Sequence, residues 1–219
     1  MKFVPVPLLA AAAILITSAR AAAPVSTRTV TPGVGLTGIR LGMKRDAVIA
    51  LLGRPTQTAR LSLGTKTRLP AAQQGSYAED IWRSGGEVLV VVLSRSQKVL
   101  QIGVAGPPFK TTTGLSTGSV FPAVRAKHPG ITVRSYQMED AVTFFADDVK
   151  RGIAFTTSTQ DDQATYESLS TLKPELMLVH PAGQPVLPVT DAAVGTPDTT
   201  PPGSSYTPRI QAWFANRAR

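Results

Sequence analysis

The chain contains no cysteine. That excludes disulfides, thiol nucleophiles, thiolate metal sites and a lipid-bearing cysteine, so the fold must be held by its core alone. Histidine is nearly as scarce: His128 and His180 are the two in 219 residues, and they stand far apart. Aromatics make up 6% of the chain, so Phe144 and Phe145 read as core rather than as a stacking surface. Trp82 reads first as core and is carried as a candidate partner contact. Acidic residues are few, 14 against 23 Lys and Arg, giving a formal charge of +9. The basic residues are scattered and no block of them reaches five, which argues against nucleic-acid binding. They read as a solvated surface with a preference for anionic partners such as envelope polymers. Beyond the N-terminus the longest apolar run is "VLVVVL", 88 to 93, which is strand-sized and too short to span a membrane.

What is present begins with an address. Lys2 precedes an apolar run from Phe3 to about Ile16, broken by Pro5 and Pro7, and Ala19-Arg20-Ala21 supplies an A-x-A site. This layout predicts a secretory signal peptide over 1–21 and export to the periplasm or the medium, with no transmembrane span left after cleavage.

After a Thr/Pro/Gly-rich lead-in, 22–37, the chain predicts a module over 38–105. Gly38 and Gly42 read as turns. Ala47, Val48, Leu51 and Leu52 recur at helical spacing and are expected to share one face. Gly53 suits a helix C-terminus and Pro55 stops continuation, while Lys44 cannot cap the start. Residues 56–76 read as a long polar loop. Three strands follow, "YAEDIWR", "EVLVVVL" and "KVLQIGV", at 77–83, 87–93 and 98–104. Tight turns separate them, so neighbours are expected antiparallel. The middle strand, apolar on both faces, is expected to be central.

A second copy is expected over 106–180, offset by 76 residues. Gly114 stands for Gly38, Gly118 for Gly42 and Val124 for Val48, and a helix again ends at Pro129-Gly130. Strands recur around 131–136, 141–146, 152–158 and 175–180. Gly118 is expected to have a positive φ, as its repeated position suggests. The acid pairs Glu139-Asp140, Asp147-Asp148 and Asp161-Asp162 read as solvated turn residues. The expected fold class is therefore α+β, two tandem modules, each a helix packed on an antiparallel β-meander.

The segments "IRLGMKRDAVIALLGRP" and "IWRSGGEVLVVVLSRSQKVLQI" resemble the small outer-membrane assembly lipoproteins (the SmpA/OmlA, or BamE, family). They also resemble the tandem-module β-lactamase inhibitor proteins. The shared features are a Gly-Met helix start, a Leu-Gly-x-Pro stop and a meander containing a Trp. The resemblance implies that fold and a protein-binding habit. The lipid-modified cysteine of the lipoproteins has no counterpart here.

A catalytic alternative is "GLSTG", 114 to 118, a G-x-S-x-G match with Asp140 and His180 downstream in hydrolase order. That motif needs a buried strand running into the turn, and "GPPFKTTT" is not one. Ser116 is therefore read as a turn residue, with a serine hydrolase kept as a rival. His128 aligns with Leu52 and is expected to be half-buried packing. No cofactor, metal or catalytic residue is assigned.

Residues 181–206 are rich in Pro, Thr and Gly and read as a linker. The tail, 207–219, changes character: Pro208 suits a helix start, and Ile210, Trp213 and Phe214 share a face, with Arg209, Arg217 and Arg219 around it. Ile210, Trp213, Phe214, Arg209 and Arg217, with Trp82, are the candidate partner-binding set. The expected function is a non-catalytic, exported interaction module. Its partner is a protein not identified by the sequence, with an anionic envelope surface as a second class. Inhibition of a secreted enzyme is the alternative.

Overall fold

The computed structural model describes residues 29–36, 38–63, 71–84, 87–106, 109–137, 142–159 and 173–189. Within them β1 (Thr29–Thr31), β2 (Gly35–Leu36) and β3 (Ile39–Arg40) lead into helix α1 (Arg45–Leu52). Four strands follow: β4 (Gln57–Leu63), β5 (Gly75–Ser84), β6 (Glu87–Leu93) and β7 (Val99–Ala105). A short β8 (Lys110–Thr111) and helix α2 (Phe121–Lys127) come next. Then come β9 (Thr132–Gln137), β10 (Val142–Asp148), β11 (Ile153–Thr159) and β12 (Leu176–Val179).

Eight of these strands form one antiparallel sheet in the order β4-β5-β6-β7-β12-β11-β10-β9. The seam between β7 and β12 pairs Met177 with Val104 and Leu178 with Gly103. Gly103 makes room for that neighbour: a Cβ on it would lie 2.8 Å from Leu178 Cδ2, so the Leu178 side chain would have to shift. A smaller sheet, β3-β2-β1-β8, has β1 and β8 parallel.

The two faces of the large sheet are set by strand alternation. On one, the helix face, a single core unites Val48, Phe121 and Val124 of the helices with Val91, Ile102, Phe144, Phe155 and Val179 of the sheet. The small sheet contributes Val30 and Ile39 to the same core. On the other face Val92, Phe145, Ala154 and Leu178 are buried beneath Val186 and Leu187. Residues 181–189 thus lie across the sheet as a strap, and this face is the strap face below.

The expectation of two tandem helix-on-meander modules is overturned. Among the described residues the structure is mostly β, 48% strand, with two α-helices of eight and seven residues. The strands join into one sheet over a shared core, so 38–105 and 106–180 do not stand as separate modules. Nor is 56–76 a loop, since β4 pairs with β5 from Gln57↔Ile81 to Leu63↔Gly75. β4 is an edge strand whose outer positions are polar, which hides the alternation of Leu61 and Leu63. Part of the expected lead-in, 29–36, forms β1 and β2.

The α1 phase also differs from the expected one. Val48 is buried with Ile49 and Leu52 packed beside it, while Ala47 is exposed and Leu51 is 56% exposed. Arg45 replaces them on the inward face because its guanidinium is bonded from below. Its Nε and Nη2 donate to Asp80 at 2.6 and 2.9 Å, and Asp80 is fully buried. That bonding raises the Arg45 pKa above its ordinary value. Lys44 makes no side-chain cap, as expected. The strands β5, β6 and β7 fall where alternation predicted them. β6 is buried on both faces, as are β10 and β11.

Candidate functional site

The most concentrated polar chemistry of the described residues lies at the end of β10. Alternation sends Asp147 to the strap face and Asp148 to the helix face, and both are buried. These are not solvated turn acids. Asp147 Oδ2 accepts Arg134 Nη2 at 2.6 Å and the Val186 N–H at 3.0 Å. Its Oδ1 lies 3.0 Å from His180 Nε2, a close approach that is off the direction a hydrogen bond needs. Asp148 Oδ2 lies 2.9 Å from His128 Nδ1, and Arg151 sits 3.7 Å away on the rim. His128 is fully rather than half buried, with its ring tilted against Phe155. The other acid pairs, Glu139-Asp140 and Asp161-Asp162, lie outside the described residues.

The strap is held by side chains that read its backbone. Gln101, the lone polar residue on the inner part of β7, donates its amide to the Leu187 carbonyl at 2.9 Å. In return it accepts the Leu187 N–H at 2.8 Å. Gln73 Nε2 donates to the Pro185 carbonyl at 2.9 Å, and the Tyr77 hydroxyl donates to the Gln73 carbonyl. Consecutive residues Val186 and Leu187 are therefore pinned to β10 and to β7, on opposite sides of the seam. Sequence reasoning placed 181–189 in the linker. The signal it carried was the apolar "VLPV", 186 to 189, inside a Pro-rich stretch.

Burial raises the Tyr77 pKa above its ordinary 10.0, with Arg95 opposing. A raised folded pKa favours the neutral phenol in the fold. Its contribution to stability is fully present below the unfolded value and is lost as pH rises through the folded one. Of the four tyrosines, Tyr77 is expected to form tyrosinate late in an absorbance titration. Tyr77→Phe is expected to abolish that late step and the alkaline loss of stability that accompanies it. An unchanged late step would assign it to another tyrosine.

The sequence candidates fall as follows. Trp82 is 7% exposed and belongs to the helix-face core. Its Nε1–H donates to the Gly53 carbonyl at 3.1 Å, closing the end of α1, so it is not placed to meet a partner. Ser116 Oγ accepts the Gly118 N–H at 3.2 Å, and the Ser116 N–H donates to Ser119 Oγ. Ser116 follows Leu115 of the helix-face core, whereas His180 is buried on the strap face. The structure therefore does not bring them together, and Asp140 lies outside the described residues.

Gly38, Gly42, Gly53 and Gly114 have positive φ, as turns require. Gly118 does not, and a Cβ there would meet only Ser116 Oγ at 3.5 Å. The equivalence with Gly42 fails, and Gly118 is not a constrained position. Arg209, Ile210, Trp213, Phe214 and Arg217, with the signal segment 1–21, lie outside the described residues. Among the described residues no three of His, Asp or Glu are grouped to hold a metal ion. No described helix is long and apolar enough to cross a membrane.

No protein-family model matches the chain, and no curated protein matches it. Among solved structures, an extracellular protein containing an SCP domain from Bacillus anthracis str. Ames is similar over 68% of this chain at 14% identity, with a TM-score of 0.37. The chain covers half the length of that protein, and a likeness this loose carries no argument. The resemblance to the assembly lipoproteins and inhibitor proteins rests on the sequence motifs alone.

Proposed function

We propose that the protein is an exported, non-catalytic interaction protein that presents a cationic docking tail from the strap face of its sheet. The observation that carries this reading is the two-way bond between Gln101 and Leu187. It fixes the chain immediately before the remaining linker sequence, so the segment that carries the tail leaves the fold from a defined point. The histidine–aspartate pairs support the same reading, since they are buried in packing rather than presented to a substrate. Burying Ile210, Trp213 and Phe214 on a partner would supply roughly 4 to 8 kcal/mol before ordering costs. A lone helix of that length is marginal in water, so it needs a surface to form on.

Deleting 207–219 tests this by thermal unfolding and by crosslinking pulldown from the envelope or medium. Stability is expected to change by less than about 0.5 kcal/mol. Partner recovery is expected to fall, and recovery by the intact chain to weaken with salt because Arg209, Arg217 and Arg219 carry the attraction. A large drop in melting temperature would make the tail part of the core. Unchanged recovery at low salt would leave it without a docking role.

A further inference from the structure

Among the described residues the surface is more one-sided in charge than their composition. Glu79, Asp80, Asp147 and Asp148 are buried, whereas no lysine or arginine is, among the described residues. Asp46, Glu87 and Glu175 are the described acids that reach solvent.

Positive charge gathers where two turns zip together. The Arg45 N–H donates to the Gln97 carbonyl at 2.9 Å, and the Val99 N–H to the Met43 carbonyl at 2.8 Å. Between these bonds Lys44 and Lys98 face each other in an antiparallel bridge. The bonds flank the pair instead of joining it. That is the non-hydrogen-bonded kind of site, where Cα atoms are about 4.5 Å apart and side chains are closest. Like charges directly opposite in such a site repel. Both lysines are exposed. So are Arg95, in the same turn as Gln97, and Arg40, whose carbonyl accepts the Met43 N–H at 3.2 Å. An anion lying between the two lysines would turn this repulsion into attraction.

We infer that this double turn binds an anionic polysaccharide chain, with Lys44 and Lys98 straddling one charged group and Arg40 and Arg95 adding to the field. The surroundings favour a polysaccharide over other polyanions. Single-stranded nucleic acid is held largely by exposed aromatics that stack its bases. Insertion into an anionic membrane surface leans on Trp and Phe. The exposed large hydrophobics of the described residues are Val34, Leu51 and Val120, with no aromatic among them. The surface lies on the folded part and is independent of the tail.

Heparin, a sulfated polysaccharide, is the probe. The full chain is compared with Lys44→Gln/Lys98→Gln and with Lys110→Gln/Lys173→Gln, which removes the same charge from other exposed sites. The first variant is expected to elute from immobilised heparin at lower salt than the second. Its slope of log affinity against log salt is expected to be shallower than that of the second variant, because cationic contacts to the polyanion are lost. Heparin is expected to raise the melting temperature of the full chain but not of that variant. Without heparin the variant is expected to melt no lower than the full chain, because a repulsion has been removed. Equal losses in the two double variants would overturn the site in favour of net charge. Tighter binding to single-stranded DNA, or to phosphatidylglycerol vesicles, would overturn the polysaccharide assignment. Loss of heparin binding on deleting 207–219 would move the site to the tail.

Discussion

Replacing Gln101 with leucine is expected to destabilise the fold by about 2 to 5 kcal/mol. The Leu187 N–H and C=O would both be left buried without partners, and each such group costs about 1 to 3 kcal/mol. For a chain of this size that is a fall of about 5 to 15 °C in melting temperature. Gln101→Glu should be damaging too, since a carboxylate accepts the N–H but cannot donate to the carbonyl. The same logic sets a truncation boundary. A chain ending at Val189 keeps the strap and is expected to melt close to the full chain. A chain ending at Gln184 loses Val186 and Leu187, exposes Val92, Phe145 and Leu178, and orphans Gln101. It is expected to unfold or to bind a hydrophobic dye at room temperature. Equal melting of the two truncated chains would show that the strap is ornamental.

The contrast between strap and strands explains how much of the molecule is legible in its sequence. The strands β5 to β7 and β9 to β12 announce themselves because alternation and tight turns are local signals. β4 does not, because an edge strand with Thr58, Arg60 and Ser62 facing solvent has a polar composition. The α1 face was misjudged by one step because the pattern treats Arg45 as polar and Leu51 as apolar. In the fold, Asp80 draws Arg45 inward from 35 residues away. The strap is the extreme case. Its composition is that of a linker, and what makes it structure is Gln101, 86 residues earlier. The division into modules failed for a related reason. Local elements were recognisable, but the β7–β12 pairing that merges them is a long-range contact of the kind no window of sequence displays. The candidate docking residues were legible only as composition and periodicity, and the lysine pair at the double turn required knowing that residues 44 and 98 are opposed.

Asp147 was the residue most misread, and it carries the other large expected effect. "DDVKRG", 147 to 152, has the look of an exposed turn, yet Asp147 is fully buried. Its one carboxylate faces Arg134, His180 and the Val186 N–H. Removing it leaves Arg134 without its counter-charge and the buried Val186 N–H without an acceptor, and breaking a buried pair in this way costs about 3 to 5 kcal/mol. Asp147→Ala is therefore expected to cost that much in urea unfolding, seen as a lower midpoint at an unchanged slope. Asp147→Asn keeps an oxygen for the Val186 N–H but not the charge for Arg134, so it is expected to recover part of the loss. Asp46→Ala provides the surface reference. Asp46 is an exposed acid in the first turn of α1, worth about 0.3 to 1 kcal/mol through the helix dipole. Asp148→Ala should fall between them, because it takes the partner from buried His128 Nδ1 while Arg151, half exposed beside Asp148, can turn to water. If Asp147→Ala costs no more than Asp46→Ala, the buried cluster does not hold the strap, and the anchoring role passes to Gln101 alone.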